Sequence, residues 1–314
     1  MSERQRQHID PAELSKLADL QLLARTVVQG VLTGLHKSPN SGSSIEFAQY
    51  RPYSQGDDPR LIDWRLYGRT DRIYIKQFQD ETSLRCTLLL DCSASMDYTS
   101  GRITKFHYAR MLIACLTMLL HQQRDAAGFI AYHHELLQYI PPRAGSSQLK
   151  RIFVELDNLE SEGQTDTAQA LHYLGDVLRP RGMVVLVSDL LHPVDEVIEH
   201  LTSLRARRHD LIVLQISDPA EETFPFQQSS TFIDAESGAE QYAVPSTVRK
   251  KYLENRSEHF DKIRAECLAS EIEIQSFSTT DPLDKALRFF LQRRNHALTT
   301  SSPRSRGSGG GSRR

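Results

Sequence analysis

The chain has 314 residues, enough for two domains or one large one. Hydrophobic residues make up 39% and charged residues 25%, and 38 Lys and Arg against 40 Asp and Glu leave a formal net charge of -2. That is an ordinary globular balance, and it argues against a dedicated nucleic-acid binder, which would be more basic.

The longest apolar stretch, Met111 to Leu120, lies between Arg110 and His121, well short of the roughly 20 residues that cross a bilayer. No membrane span is therefore expected. The first ten residues, M-S-E-R-Q-R-Q-H-I-D, hold no apolar core of an export signal. The expectation is a cytoplasmic protein whose four cysteines, Cys86, Cys92, Cys115 and Cys267, stay reduced. They form no C-x-x-C pair, so buried thiols are expected rather than a zinc or redox site.

In chain order, Asp10-Pro11-Ala12-Glu13 reads as a capped helix start, and the apolar spacing from Leu14 to Val31 predicts a helix over 11–33 that Gly34 stops. A polar stretch without clear periodicity follows, dense in turn residues and charges, and it carries the single tryptophan, Trp64. From Arg72 onward R-I-Y-I-K-Q-F-Q alternates as a half-buried strand, and L-R-C-T-L-L-L-D ends in an apolar run typical of a sheet covered on both faces. A regular alternation then predicts helices over 104–124, from 146, 166–178, 194–205, 246–269 and 281–293. Between them lie strands A-G-F-I-A-Y, E-L-L-Q-Y-I, M-V-V-L-V-S, L-I-V-L-Q-I and I-E-I-Q-S-F.

Strands separated by helices imply right-handed crossovers, hence an α/β fold with a doubly wound, mostly parallel sheet. Residues 231–244 read as a hairpin turning at Ser237-Gly238. The expected division is an N-terminal helical and irregular extension over 1–81, the α/β domain over 82–296 and a disordered Arg/Ser/Gly tail over 297–314.

Ligands of open α/β sheets bind outside the carboxyl ends of the strands, so residues just after the apolar runs are the candidates. L-L-L-D-C-S-A-S places Asp91, Ser93 and Ser95 at alternate positions of one turn. Thr165, before the 166–178 helix, and Asp189, after V-V-L-V-S, complete a set of carboxylates and hydroxyls suited to Mg²⁺ or Mn²⁺. So few charges leave such an ion open to an external anion, for example a partner's carboxylate. Upstream, Gly56-Asp57-Asp58-Pro59 is a turn. Arg51, Arg60, Arg65 and Arg69 face Asp57, Asp58, Asp63 and Asp71 in numbers that predict a paired network around Trp64, architectural or partner-docking.

D-C-S-A-S with Thr165 and Asp189 resembles the metal-ion-dependent adhesion site of von Willebrand factor A-type domains, with Ala94 where a glycine is frequent. That resemblance implies Asp91, Ser93, Ser95, Thr165 and Asp189 as the metal set. A second resemblance covers more of the chain. The signature Arg51, Tyr53, Gly56, Asp57, Asp58, Arg60, Ile62, Asp63 and Trp64, followed by R-L-Y-G-R-T-D-R-I-Y-I-K-Q-F, is similar to domain-of-unknown-function family 58. This implies a von Willebrand A-like domain in a non-enzymatic adaptor or co-chaperone for a MoxR-type AAA+ ATPase and its protein clients.

Two rivals stand beside it. One is a Mg²⁺-dependent phosphatase of the haloacid-dehalogenase type with Asp91 as nucleophile and Ser188 as its hydroxyl; the sequence places Ser93 where that family has a second acid and offers no evident lysine partner. The other is a metal-free structural scaffold. No G-x-S-x-G and no G-x-x-x-x-G-K-[ST] is present, so any nucleotide hydrolysis belongs to a partner.

Overall fold

The computed structural model describes residues 11–14, 19–36, 49–53, 64–70, 72–77, 84–133, 136–161 and 181–301. The chain divides into two compact units, residues 1–31 with 84–314, and residues 32–83.

The larger unit is built on a six-stranded sheet. Its strands are β3 (Arg85–Asp91), β4 (Ala126–Tyr132), β5 (Leu136–Arg143), β6 (Met183–Ser188), β7 (Asp210–Ser217) and β10 (Glu273–Ser278), in the spatial order β10-β7-β6-β3-β4-β5. All neighbours pair in parallel except β4 with β5, which run antiparallel at one edge. The doubly wound, mostly parallel sheet expected from the sequence is the one the chain has.

Both faces are covered, which is why β6 reads M-V-V-L-V-S with no exposed residue. One face carries α4 (Lys105–Gln122), flanked by α5 (Ser146–Asn158) and α9 (Leu283–Ser301). The other carries α6 (Val194–Ala206) and α8 (Pro245–Ala269), which close a core around Leu89, Leu186, Val213, Leu201, Phe260 and Ile263. Helix α4 is buried on nearly every side, as its apolar composition all round requires. A short helix α7 (Pro219–Thr223) follows β7. The hairpin β8 (Ser230–Ile233) with β9 (Glu240–Ala243) is antiparallel and turns through Gly238 at φ 68°, a left-handed conformation that glycine adopts freely. The four cysteines are buried thiols without a disulfide; burial pushes Cys267 up to about 11.

The N-terminal helix departs from the expected 11–33. It is described as α1 (Pro11–Leu14) and α2 (Leu20–His36). Asp19 starts α2 by accepting from the Gln21 and Leu22 amides at 2.8 and 3.0 Å. Gly34 lies inside α2 and does not stop it, because a helical glycine costs only about 1 kcal/mol. In the smaller unit β1 (Gln49–Pro52) pairs antiparallel with β2 (Tyr74–Gln77), and α3 (Trp64–Thr70) is a helix that periodicity did not indicate. At the other end α9 runs on to Ser301, past the expected start of the tail at 297. The expected helix over 166–178 lies outside the described residues.

Leu89 sits at the centre of the sheet with its side chain wholly buried. Leu89→Ala is expected to cost about 2–5 kcal/mol of stability, the range for a large-to-small change in a packed core, read from urea unfolding.

Candidate functional site

The chain runs from β3 outward through β4 and β5, then returns to place β6 on the opposite side of β3. That reversal makes the ends of β3 and β6 the switch point of the sheet, where a crevice opens outside the carboxyl ends of the strands. Asp91 closes β3, and Ser188 and Asp189 close β6.

Asp91 is fully buried. It accepts from the Ser93 amide at 3.0 Å and from the Ser188 hydroxyl at 2.6 Å. Burial raises its carboxyl above the usual carboxylate range and neighbouring Asp189 adds to this, while Ser188, His192 and the Ser93 amide pull it back. Ser93 and Ser95 flank the start of a 3-10 turn (Ala94–Asp97), and their hydroxyls are 3.1 Å apart. Ser95 is the partly exposed member, Ser93 the buried one. Across the crevice Leu190 sits at φ 57°, a conformation costly for a branched side chain, held by burial of that side chain and by His259 Nε2 at 2.8 Å from its carbonyl. This turn aims Asp189.

Asp189 is not free to act as a simple ligand. Lys105, the first residue of α4, is fully buried, and its Nζ lies 2.8 Å from Asp189 Oδ2 and 2.5 Å from Glu221 Oε1. Burial alone lowers the ammonium's affinity for its proton, but Asp189 and Glu221 together outweigh it and the net direction is upward. Glu221 also closes a capping box on α7, its other oxygen accepting from the Asp218 amide at 2.9 Å. Asp218, buried too, accepts from the Ser100 amide at 2.9 Å and from the Ser100 hydroxyl, tying down the loop after Ser95.

Two further polar atoms are buried here without a hydrogen-bond partner among the described residues: His192 Nε2 and the Tyr132 hydroxyl, which lies near Ser188 but forms no well-aligned bond with it. Burial, then the Asp91 carboxylate, holds the Tyr132 phenol well above its ordinary range.

Of the residues expected to hold a metal, the structure therefore brings Asp91, Ser93 and Ser95 together and places Asp189 on the neighbouring strand end. Thr165 lies outside the described residues. The fit to a hard divalent ion is good for the hydroxyl pair, since cis ligands at about 2.0–2.1 Å from an octahedral ion are about 3 Å apart. Among the described residues no three of His, Cys, Asp and Glu gather as a metal cage, so hydroxyls would have to complete the shell of any ion here.

Sequence reasoning missed Lys105 and Glu221. The signal for Lys105 was its position: a lysine opening a helix, next to Thr104 that caps it by accepting from His107 N at 3.0 Å, opposes the helix dipole unless anions surround it. No hydrogen bond or ion pair among the described residues joins this lysine to Asp91 or Ser188. It is committed to Asp189 and Glu221.

The Arg51–Trp64 signature lies in or beside the smaller unit. Its Tyr53 amide donates to Ile73 O at 3.0 Å. Trp64 is 63% exposed, with an edge-on ring contact to Tyr67 at 6.2 Å, so the tryptophan is not the buried centre of a network. Asp57, Asp58, Arg60 and Asp63 lie outside the described residues, as does the Arg51 side chain.

Comparison with known proteins decides the family. Residues 49–262 match the family described as "Protein of unknown function DUF58". The chain belongs to this family. The match bears out the resemblance carried by the Arg51–Trp64 signature. Uncharacterized proteins Rv1480 of Mycobacterium tuberculosis (strain ATCC 25618 / H37Rv) and Mb1516 of Mycobacterium bovis (strain ATCC BAA-935 / AF2122/97) are each 26% identical over 296 residues, covering 92% of this chain and 92% of theirs. Among solved structures, the conserved hypothetical protein BatB from Bacteroides thetaiotaomicron aligns with TM-score 0.48 at 14% identity over 68% of this chain and 99% of its own. The SpRpn10 VWA domain aligns with TM-score 0.40 at 10% identity over 65% and 94%. Among the described residues no helix is long and apolar enough to cross a membrane.

The raised pKa of Asp91 fixes the sign of one effect. Between its unfolded and folded values the native state binds more protons, so stability falls as pH rises through that window. In metal-free buffer, Asp91→Asn is expected to be more stable than wild type at neutral pH and indistinguishable from it at acid pH, by urea unfolding in EDTA.

Proposed function

We infer that this DUF58-family protein is a non-enzymatic interaction module whose working surface is the crevice at the ends of β3 and β6. The observation that carries the reading is the Ser93–Ser95 hydroxyl pair, 3.1 Å apart beside buried Asp91 at the switch point of the sheet. Asp91, Ser93 and Ser95 would hold Mg²⁺ or Mn²⁺, with Thr165 from the following loop and Asp189 at longer range. When bound, such an ion supplies an open position for an oxygen anion. The chain's own residues do the rest: Ser188 and the Ser93 amide orient Asp91, Leu190 aims Asp189, and Asp218 holds the loop bearing Ser95.

The partner class that suits this surface is a protein presenting an exposed Asp or Glu. A MoxR-type AAA+ ATPase in the cytoplasm, with its clients, is the partner we assign, in line with the family resemblance. The absence of a phosphate-loop sequence in this chain leaves nucleotide hydrolysis to that ATPase.

The Ser188 hydroxyl bonded to Asp91 keeps phosphatase chemistry of the haloacid-dehalogenase type as the second reading. Ser93 stands where that family has its second acid, which weighs against it.

Interferometry against the purified MoxR-type ATPase of the same organism tests the first reading. Ser95→Ala, or EDTA in place of Mg²⁺, is expected to weaken binding by about tenfold or more, equivalent to about 1.4 kcal/mol. Equal affinity of both proteins in both buffers overturns it, and turnover of p-nitrophenyl phosphate lost in Asp91→Asn would establish the phosphatase instead.

A further inference from the structure

Lys105 ties the carboxyl edge of the sheet together, and its charge also stands beside the candidate metal ligands. Its ammonium is wholly buried and sits at the first position of α4, where the helix end already carries partial positive charge. Two carboxylates hold it there, one on each side: Asp189 at the end of β6 and Glu221 on α7. The surroundings are rich in acidic groups, with Asp189, Asp218 and Glu221 beside this one ammonium among the described Lys and Arg side chains of the cluster. Replacing such a pair by apolar side chains often leaves a protein as stable or more so, so a retained buried ion pair beside a ligand crevice calls for a role.

We propose that Lys105 is a built-in competitor of the divalent ion: in the metal-free protein its ammonium neutralises Asp189, and a cation binds at Asp91, Ser93 and Ser95 only as Lys105 shifts its charge from Asp189 towards Glu221. The proposal rests on the interaction-site reading above and names its regulation. Three features support it. Asp189 and Glu221 already share the ammonium, so transfer between them needs a change of side-chain torsion rather than escape to water. Glu221 is the more exposed of the two acceptors, its side chain 17% accessible against 1% for Asp189, so the alternative position is the less desolvated one. The Tyr132 hydroxyl and His192 Nε2 are buried polar atoms beside Asp91 with no hydrogen-bond partner among the described residues, which marks the crevice as the place where a further polar occupant is accommodated.

Competition has a consequence in each direction. Removing the ammonium frees Asp189 and tightens the site. Removing the Glu221 charge leaves Asp189 as the only carboxylate for Lys105 and loosens it. Metal loading and the β7–α7 cap are thereby linked, because Glu221 serves both.

The test is titration of Mn²⁺ into the full chain, followed by calorimetry and by loss of the free-ion electron paramagnetic resonance signal. Lys105→Met is expected to bind Mn²⁺ about tenfold more tightly than wild type and Glu221→Gln several-fold more weakly, within the usual range of coupling between sites. Circular dichroism checks folding. Should Lys105→Met fail to fold, the charge-conserving pair Lys105→Met with Glu221→Gln takes its place and is expected to bind more tightly than Glu221→Gln alone. Mn²⁺ binding that is lost in Ser95→Ala yet unchanged by the Lys105 and Glu221 substitutions overturns the competition and leaves the metal site standing. Absence of Mn²⁺ binding in wild type and in every Lys105 variant overturns both.

Discussion

The carboxyl edge of the sheet hangs on a single buried ammonium. Asp189, Glu221 and Asp218 come from β6, α7 and the turn between β7 and α7, and each would lose several kcal/mol on leaving water unpaired. Lys105 reaches the first two directly, and the Glu221 carboxylate carries the link on to the Asp218 amide. Asp218 then fastens Ser100, and with it the loop that presents Ser93 and Ser95. A charge at the start of one helix thus ties together the ends of β6 and β7 and the loop after β3. Screening by salt does little to the Lys105–Asp189 pair, because both side chains are buried.

Several departures from local rules meet at this edge, although Arg124, Arg208 and Glu271 are also left-handed, in the turns leading into β4, β7 and β10. Leu190 is left-handed, Lys105 opposes its helix dipole, Asp91 is driven towards its neutral form, and the Tyr132 hydroxyl has no hydrogen-bond partner among the described residues. Regular local features stand beside them: Thr104 caps α4, Asp218 and Glu221 box α7, and β6 is apolar where helices cover it on both sides. Several such departures gathered at one place are a common mark of a working site. The family assignment says nothing about activity, and so the chemistry of this edge, with the exposed Trp64 of the smaller unit, is what distinguishes one functional reading from another.

Much of the architecture was legible in the linear chain. Apolar runs of strand length separated by helical periodicity determined a covered, mostly parallel sheet, and β6, α5 and the Ser237-Gly238 hairpin stand where the pattern places them. Asp91, Ser93 and Ser95 were legible too, because alternate positions after a buried strand converge by local geometry alone. The reach of α2 past Gly34 and the helix at Trp64–Thr70 were not, since a single glycine and a short polar helix leave weak periodic signals.

What only the tertiary structure decided is which charges meet. Lys105 and Asp189 are 84 positions apart and Lys105 and Glu221 are 116, and no spacing rule links residues so distant. The parallel crossovers bring the ends of β3, β6 and β7 to one edge, and the right-handed return of each helix aims the start of α4 at that edge. Sequence by itself determined the ligand types on offer, one carboxylate and two hydroxyls in a single turn. Packing determined that the second carboxylate arrives already paired, because an anion carried into a dry interior must bring or find its counter-charge there.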